Sequence, residues 1–413
     1  MFFLYDIIVI AAGFLLKLAA QFSPKLKLFN DGRKNVIETI GASISASDRT
    51  IWFHAASLGE YEQGLPVIEK FKEQFPNHKI ILTFFSPSGF EIRKNNAVAD
   101  VTVYLPLDTR SNARQFLNAV HPEMAFFIKY EYWPNYLNEL KKRSIPTYLI
   151  SGVFRENQVF FQWYGGFFRV ALDAFSHFFV QNVKSKELLL QWEYNNVTIS
   201  GDTRFDRVGQ ILGKDNSLDY ISEFKANSLL IVVGSSWPKE ESLLTQYINE
   251  TRFPVKFIIA PHNIKANDID TLRNGIQKKT VLFSERENKE LADYQVFIVD
   301  TIGLLTKIYS YADIAYVGGG FGNPGVHNIL EPAAFSVPIV IGPNFKHFSE
   351  AKALVKNEGC LSIANQEELN ETFDRLIQNE DERLEKGHIC GTFVQMNKNA
   401  TAIILKYFHN DDI

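Results

Sequence analysis

Short apolar runs alternate with longer amphipathic stretches along most of the chain. After residue 45, each run of β-branched or aromatic residues is followed by a turn and then by a stretch with apolar positions at helical spacing. The short runs predict strands, and the amphipathic stretches between them predict helices. Because strands that alternate with helices form parallel sheets covered on both faces, we expect an α/β fold with doubly wound sheets.

The pattern predicts two sets of strands. The first set is Ile51–His54, Ile80–Phe84, Val101–Tyr104, Met124–Ile128, Thr147–Ile150, His177–Val180 and Val197–Ser200. The second set is Leu229–Val233, Lys256–Ala260, Gln295–Val299, Ile314–Val317 and Ile339–Ile341. Helical patterns include Tyr61–Phe75 and Asn112–Val120, and a final helix, roughly Gln395–Phe408, closes the chain.

A mainly polar stretch around Gly209–Asn227, in which the alternating pattern is absent, separates the two sets of strands. We therefore expect an N-terminal segment at 1–40, a Rossmann-like domain at 41–210, a linker at 211–227, a second Rossmann-like domain at 228–394 and the closing helix at 395–413. Two such domains place a ligand cleft between them, beyond the carboxyl ends of both sheets. This architecture is typical of two-domain enzymes, but it does not identify the reaction.

The N-terminal segment departs from the globular pattern. Between Phe2 and Ala20 only Asp6 and Lys17 are charged, which is marginal for a spanning helix of about 20 apolar residues. Basic residues follow its apolar part, at Lys17, Lys25, Lys27, Arg33 and Lys34, and keep the body of the protein in the cytoplasm by the positive-inside rule. We expect a helix that anchors in, or lies on, the cytoplasmic face of the membrane; the alternative is a buried core helix.

The overall composition excludes several classes of protein. Of 413 residues, 46% are hydrophobic, and 43 basic against 47 acidic residues give a net charge of −4 with no basic stripe, so we expect no nucleic-acid partner. Two cysteines, Cys360 and Cys390, exclude a disulfide framework and fit a reducing compartment. The histidines never take a spacing such as HExxH, so we expect no metal site and no cofactor.

One glycine-rich loop matches a familiar fingerprint. Gly320–Gly325 reads G-x-G-x-x-G, which is typical of dinucleotide binding. The loop comes late in its domain, contains Pro324, and the next strand, Ile339–Ile341, ends without the ribose-binding acid. We therefore expect no dinucleotide, although the loop can still bring backbone N–H groups close to a phosphate or sugar at a helix N-terminus.

Three charged residues follow predicted strands and are candidates for chemistry. Glu60 opens the helix after the small-residue turn Ala55–Gly59, where it can act as a general base or merely complement the helix dipole. Glu131 follows Met124–Ile128, and Arg204 follows Val197–Ser200. A guanidinium there can stabilise a leaving phosphate, but a structural ion pair explains either residue equally well.

Asn328 and Glu331 have the spacing of a capping box at the start of a helix. The same geometry can let a carboxylate accept hydrogen bonds from both hydroxyls of a ribose, while free N–H groups face a phosphate. The two interpretations can apply in turn, to the empty and to the occupied protein.

Many ordered stretches together resemble the 3-deoxy-D-manno-octulosonic acid (Kdo) transferases of lipopolysaccharide synthesis, which are glycosyltransferases of the two-domain GT-B architecture. These stretches are His54–Gly64, Thr83–Gly89, Leu105–Thr109, Lys129–Asn135, Gly201–Asp206, Gly234–Trp237, Pro261–His262 and Asn328–Pro332. The resemblance runs almost from end to end, and the order of so many matches makes it far more specific than any single one.

The resemblance implies an inverting transfer of Kdo from CMP-Kdo, the donor substrate, to the 6′-hydroxyl of a lipid A precursor (lipid IVA) at the inner membrane. It implies that Glu60 is the catalytic base and that Glu131 and Arg204 stabilise the transition state. The implied CMP contacts are Pro261, His262, Ile302, Gly303, Leu304, Asn328, Ile329, Leu330 and Glu331. Ser235 and Ser236 are weaker candidates. Some members of that family have an acidic residue where this chain has Leu304. We therefore expect Leu304 to contact CMP through its backbone and not through its side chain.

Three other functions remain open on the sequence. The nearest is another GT-B enzyme that uses a UDP-sugar, such as a lipid A disaccharide synthase or a nucleotide-sugar epimerase. The others are a dinucleotide-dependent oxidoreductase, which the missing ribose-binding acid disfavours, and a catalytically silent membrane-bound binding protein.

Overall fold

The computed structural model describes residues 1–410, which form two compact units. The first unit comprises Met1–Arg207 and the chain from Lys398 onward, and the second comprises Val208–Asn397. Each unit contains a parallel sheet of seven strands with helices packed on it. The predicted α/β class with two doubly wound sheets is therefore confirmed.

The sheet of the first unit has the strand order β3-β2-β1-β4-β5-β6-β7. Its strands are β1 (Arg49–Ala55), β2 (His78–Phe84), β3 (Val101–Tyr104), β4 (Met124–Ile128), β5 (Thr147–Gly152), β6 (His177–Val180) and β7 (Val197–Ile199). Its helices are α1 (Phe2–Ala19), α2 (Pro24–Asp31), α3 (Val36–Ser43), α4 (Leu58–Gln74), α5 (Pro87–Arg93), α6 (Arg110–Val120), α7 (Pro134–Lys142), α8 (Gly166–Leu172), α9 (Val183–Gln191), α10 (Thr203–Leu212) and α19 (Ala400–Asn410), with a 3₁₀ turn at Val159–Phe161.

The sheet of the second unit has the order β10-β11-β9-β8-β12-β13-β14. Its strands are β8 (Leu229–Ser236), β9 (Val255–Pro261), β10 (Thr280–Leu282), β11 (Val296–Ile298), β12 (Ile314–Val317), β13 (Ile339–Ile341) and β14 (Cys360–Ser362). Its helices are α11 (Asp219–Lys225), α12 (Pro238–Glu250), α13 (Ala266–Gly275), α14 (Leu305–Ile308), α15 (Leu330–Ala334), α16 (Ser349–Lys356), α17 (Gln366–Gln378) and α18 (Glu380–Asn397), with 3₁₀ turns at Phe283–Glu285, Leu291–Asp293 and Tyr309–Tyr311.

The central strands are buried on both faces, as parallel sheets require. In β1, Trp52 packs into one hydrophobic core, whereas Ile51 and Phe53 pack into a second core on the opposite face. Successive side chains of a strand point to opposite faces, so one apolar run supplies both cores. This explains why the strand reads as continuously apolar rather than alternating.

All twelve predicted strands are present, but the structure departs from the predicted pattern elsewhere. Two edge strands of three residues each, β10 and β14, were not predicted. The prediction of a single closing helix at Gln395–Phe408 is wrong, because α18 ends at Asn397 and α19 starts at Ala400. Between them Asn399 has a left-handed φ of 93°, and the Asp206 carboxylate accepts hydrogen bonds from the backbone N–H groups of Asn399 and Thr401.

The segment expected as a linker, 211–227, contains the end of α10 and all of α11. The boundary between the two units falls within α10, between Arg207 and Val208. In α1 only Asp6 and Gly13 are buried, which excludes the alternative of a buried core helix at the N-terminus.

Candidate active site

The strand order of the first unit reverses between β1 and β4, which lie side by side although two strands separate them in sequence. Ligands of doubly wound sheets bind outside the carboxyl ends of the strands at such a switch point. The chain leaving β1 carries Glu60, and the chain leaving β4 carries Glu131. The fold thus brings two of the predicted catalytic residues to the same edge of one sheet.

Glu131 is held by ring nitrogens. Its Oε2 lies 2.8 Å from Trp133 Nε1 and 3.2 Å from Nε2 of the fully buried His54. Its side chain is 11% exposed, and no described residue of the chain makes a hydrogen bond to Oε1. One carboxylate oxygen is therefore fixed, while the other has no protein partner in residues 1–410.

Glu60 lies in the first turn of α4, as the third residue after the N-cap residue Ser57. The Ser57 hydroxyl donates a hydrogen bond to the Glu60 carboxylate. This contact orients the carboxylate without neutralising it, which suits a group that must accept a proton.

Arg204 is oriented by its neighbour Asp202. The guanidinium donates from Nε and Nη2 to Asp202 Oδ2 at 2.9 and 2.7 Å, and the Arg204 backbone N–H donates to Oδ1 at 2.9 Å. Burial raises the pKa of Asp202, but the charge and hydrogen bonds of Arg204 outweigh it and leave the pKa below its usual value. Gln63, one turn after Glu60 on α4, donates to the same carboxylate at 3.2 Å.

Tyr130 lies among these groups, although it is not one of the site residues predicted from the sequence. Burial raises its pKa, and the charges of Arg155, Arg204, Asp202 and Glu60 all act on its hydroxyl. Arg155 also packs over its ring. Its position between Lys129 and Glu131, just after β4, is the sequence feature that could have indicated it. Lys129 takes a left-handed φ of 71°, which turns the chain at this point.

In the second unit the strand order reverses between β8 and β12, and three stacked rings lie beyond the ends of these strands and β9. The Trp237 ring stacks on His262 at 4.4 Å, and His262 stacks on His327 at 4.7 Å. Burial, and then the neighbouring His262, lowers the pKa of His327 to about 4, so its ring is neutral near pH 7. Its Nε2 accepts a hydrogen bond from Trp237 Nε1 at 2.9 Å. Of these rings, only His262 was predicted from the sequence as a CMP contact.

The other predicted CMP contacts of this unit form a connected group. Glu331 accepts hydrogen bonds from Asn328 Nδ2 at 2.9 Å and from Thr306 Oγ1 at 2.7 Å. Thr306 lies two residues after the turn of Ile302, Gly303 and Leu304, in which Ile302 and Gly303 are exposed and Gly303 has a φ of 90°.

The expected capping box at this helix is only partly formed, since the Asn328 amide contacts the Glu331 side chain directly and Asn328 Oδ1 accepts from the Leu330 N–H. The Ile329 and Leu330 side chains are buried, so these two residues can offer a ligand only their main chain. Ser236 is also buried, and its hydroxyl donates to Glu241.

The glycine-rich loop is not free to cradle a phosphate. The buried Glu240 carboxylate accepts hydrogen bonds from the backbone N–H groups of Gly319 at 3.0 Å, Phe321 at 3.1 Å and Trp237 at 3.1 Å. An internal carboxylate thus takes the position of an anionic ligand, and the expectation that the loop Gly320–Gly325 presents its N–H groups to a phosphate is wrong for Phe321. In residues 1–410 no three His, Cys, Asp or Glu side chains converge in a way that could hold a metal ion.

Comparison with known proteins supports the resemblance drawn from the motifs. A family model described as 3-deoxy-D-manno-octulosonic-acid transferase (kdotransferase) matches residues 31–207. The 3-deoxy-D-manno-octulosonic acid transferase of Chlamydophila psittaci is 26% identical over 340 residues, which are 80% of this chain and 78% of that protein. The corresponding transferase of Rickettsia bellii is 27% identical over 374 residues, covering 87% of this chain and 88% of that protein.

Among solved structures, UDP-GlcNAc 2-epimerase from Neisseria meningitidis, bound to UDP-GlcNAc, superposes with a TM-score of 0.61. It is 15% identical and the match covers 88% of this chain and 100% of that one, so this likeness concerns the fold alone. These comparisons confirm both the resemblance to Kdo transferases and the GT-B fold class.

Proposed function

We propose that this protein transfers Kdo from CMP-Kdo to the 6′-hydroxyl of a lipid A precursor, with inversion at the anomeric carbon. The observation that carries the proposal is the similarity to Kdo transferases over 80% or more of the chain, combined with a carboxylate in the first turn of α4 at the switch point of the first sheet. Glu60 is the general base of this reaction.

In the proposed reaction Glu60 removes the proton of the acceptor hydroxyl as its oxygen attacks the anomeric carbon of Kdo. The bond between that carbon and the phosphate oxygen breaks, and its electron pair leaves with CMP. Arg204, oriented by Asp202, neutralises charge on the leaving phosphate. Glu131, with one unpaired oxygen, stabilises positive charge at the oxocarbenium-like carbon. No metal or cofactor takes part.

The proposed CMP site lies in the second unit. The Glu331 carboxylate accepts hydrogen bonds from the ribose hydroxyls and exchanges the Asn328 amide for them when CMP binds. The main chain of Gly303 and Leu304, Pro261–His262 and the buried pair Ile329–Leu330 supply the remaining contacts. His262 enters this site with its ring already fixed by stacking on Trp237.

The proposed location is the cytoplasmic face of the inner membrane, with α1 lying on the bilayer rather than crossing it. In residues 1–410, α1 is the one helix long and apolar enough to span. Its polar side is tied to the body, because Asp6 pairs with Arg110 and accepts from Asn135 Nδ2 at 2.9 Å. A spanning orientation has to break these bonds or immerse the body in lipid.

A second segment extends this apolar surface. Trp163 is 89% exposed and Tyr164 59% exposed, and Phe167 of the same segment packs against Phe2 of α1 with ring centroids 4.9 Å apart. Trp and Tyr prefer the headgroup level of membranes. The lysines at Lys17, Lys25 and Lys27 add attraction to anionic lipid.

The alternative function is that of another GT-B enzyme with a UDP-sugar as substrate. The likeness of the fold to an epimerase crystallised with UDP-GlcNAc favours keeping this candidate. Thermal-shift measurements with CMP and with UDP separate the two proposals, since stabilisation by UDP alone supports the alternative.

The proposed function is tested by incubating the full chain in detergent with freshly generated CMP-Kdo and a tetraacylated lipid A precursor. We expect CMP release that depends on the acceptor, and a product heavier by one or more Kdo units in mass spectrometry. CMP release without an adduct contradicts this acceptor, and failure both to bind CMP and to release it contradicts the proposal as a whole.

A further inference from the structure

His54 lies in a row of hydrogen-bonding side chains on one face of the first sheet. Trp52 and His54 are two residues apart on β1, so their side chains share a face, and His54 is in register with Thr83 on the parallel strand β2. Thr83 Oγ1 lies 2.9 Å from Trp52 Nε1 and 2.8 Å from His54 Nδ1. The row continues from His54 Nε2 to Glu131 Oε2 at 3.2 Å.

The hydrogen-bond donors of this row are counted from the Trp52 end. The Trp52 indole N–H only donates, so it occupies a lone pair of the Thr83 oxygen. The Thr83 hydroxyl proton then points either to the Phe53 carbonyl at 3.4 Å or to His54 Nδ1 at 2.8 Å, and the shorter contact is to the ring. When Nδ1 accepts this proton, a neutral His54 carries its own proton on Nε2.

The opposite tautomer supplies fewer hydrogen-bond donors at the other end of the row. A neutral ring protonated on Nδ1 turns the lone pair of Nε2 toward a carboxylate oxygen 3.2 Å away. Trp133 Nε1 lies 3.0 Å from Nε2 and 2.8 Å from the Glu131 oxygen, so in this tautomer one indole N–H has to serve both acceptors. With the proton on Nε2, the N–H groups of His54 and Trp133 converge on the same oxygen, Glu131 Oε2.

We propose that His54 is a positioning residue for Glu131. The Trp52–Thr83 pair fixes its Nε2–H tautomer, and this N–H holds Oε2 so that Oε1 points to the substrate. The inference rests on the proposed transferase activity only for its kinetic test. It assigns a purpose to a fully buried histidine that neither binds the donor nor acts as the base.

The kinetic test compares His54→Gln with His54→Asn, two amides that differ by one methylene. The Gln amide reaches the place of Nε2 and still donates to Glu131, whereas the Asn amide reaches only the place of Nδ1. We expect His54→Gln to keep most of the wild-type kcat and His54→Asn to lose about 10²-fold, as for a misplaced catalytic group, with KM for CMP-Kdo unchanged in both. Equal kcat values in the two variants overturn the proposal.

A second pair covers the case in which the His54 variants do not fold. Thr83→Ser keeps the hydroxyl that donates to Nδ1, and Thr83→Val removes it at the same volume. We expect Thr83→Ser to retain kcat and Thr83→Val to lower it without a change in KM for CMP-Kdo. Equal activity of Thr83→Ser and Thr83→Val overturns the proposal as well.

The tautomer itself is measured without any assay of activity, by nitrogen NMR of the histidine-labelled full chain. The signal that is present in the wild type and absent from His54→Gln belongs to His54. We expect this signal to show a protonated Nε2 and an unprotonated Nδ1. A protonated Nδ1 with an unprotonated Nε2 overturns the proposal even in an active enzyme. An inactive wild-type chain with the expected tautomer contradicts only the proposed function.

Discussion

The Asp108 carboxylate joins α1 and α7 at one buried point. It accepts hydrogen bonds from the Tyr5 hydroxyl at 2.9 Å and from the backbone N–H groups of Asn135 and Tyr136 at 3.2 and 3.1 Å. Burial raises its pKa from 3.8 to about 6, even though these donors act in the opposite direction. A single residue from the Leu105–Thr109 stretch thus helps hold α1 against the body.

Asp108 makes the stability of the protein depend on pH. Because its folded-state pKa of about 6 lies above the unfolded value of 3.8, its stabilising contribution is present at low pH and is lost as the pH rises through about 6. From about pH 4 to pH 7 we expect the free energy of unfolding of the wild type to fall by about 2 kcal/mol more than that of Asp108→Asn. Urea unfolding of both proteins across this range measures the difference, and parallel pH profiles contradict the prediction.

Single residues also show what the sequence could and could not predict of the site. Glu60, Glu131 and Arg204 were found because they follow strands, and the ends of parallel strands share an edge. Each has one orienting neighbour close in sequence, namely Ser57, Trp133 and Asp202. Other orienting residues lie far away in sequence: Glu131 is also held by His54, 77 positions earlier, and Asp202 by Gln63, 139 positions earlier. No local pattern indicates such contacts, because they depend on which strands become neighbours.

At the scale of elements, the glycine loop after β12 is held by a helix rather than by a ligand. Glu240 lies in the first turn of α12, and its two oxygens accept three backbone N–H groups, from Gly319, Phe321 and Trp237. A Cβ on Gly320, the first glycine of the fingerprint, would lie 2.6 Å from the Gly342 backbone nitrogen, and a Cβ on Gly325 would lie 2.6 Å from the Phe348 ring, so both glycines serve close packing of the loop. The fingerprint spacing therefore arises here from packing.

We expect Glu240→Gln to destabilise the second unit. The new amide group places an N–H donor where a carboxylate oxygen accepted from the backbone, and a buried donor without a partner costs about 1–3 kcal/mol. The neighbouring Glu241→Gln is the matched control, because its carboxylate accepts from the Ser236 hydroxyl and a glutamine oxygen can replace it. Thermal unfolding compares the two, and equal midpoints contradict the assigned role of Glu240.

Elements differ in how clearly the sequence predicts them. The central strands were predicted because burial on both faces requires unbroken apolar runs, as in Ile51–Phe53. The edge strands β10 and β14 are three residues long, too short to show a period. The break between α18 and α19 depends on the Asp206 carboxylate, which comes from 193 positions earlier in the chain.

At the scale of the whole molecule, the proposed membrane contact predicts that substitutions on α1 weaken membrane binding without changing the stability of the fold. Ile10 and Phe14 lie on the outer side of α1, 60% and 61% exposed. Replacing both by glutamate leaves the Asp6–Arg110 pair intact, so we expect an unchanged unfolding midpoint. Because each apolar side chain contributes about 1.5–3 kcal/mol on burial, we expect binding to phosphatidylglycerol vesicles to fall by about 10²-fold or more.

Vesicle flotation measures this loss, with Met396→Glu as control. Met396 is 80% exposed on α18, in the other unit, and makes no part of the proposed surface. Full flotation of the double variant of α1, or an equal loss in Met396→Glu, contradicts a membrane contact through α1.

The rate of acceptor-dependent CMP release by Glu60→Gln shows directly whether Glu60 is the general base. A glutamine oxygen can still accept from the Ser57 hydroxyl, so the turn keeps its structure while the base is lost. Glu73→Gln, an exposed position at the other end of α4, is the control. We predict wild-type CMP affinity in both variants, wild-type transfer in Glu73→Gln and a loss of about 10²–10⁴-fold in Glu60→Gln. A wild-type rate of Kdo transfer in Glu60→Gln would contradict the account.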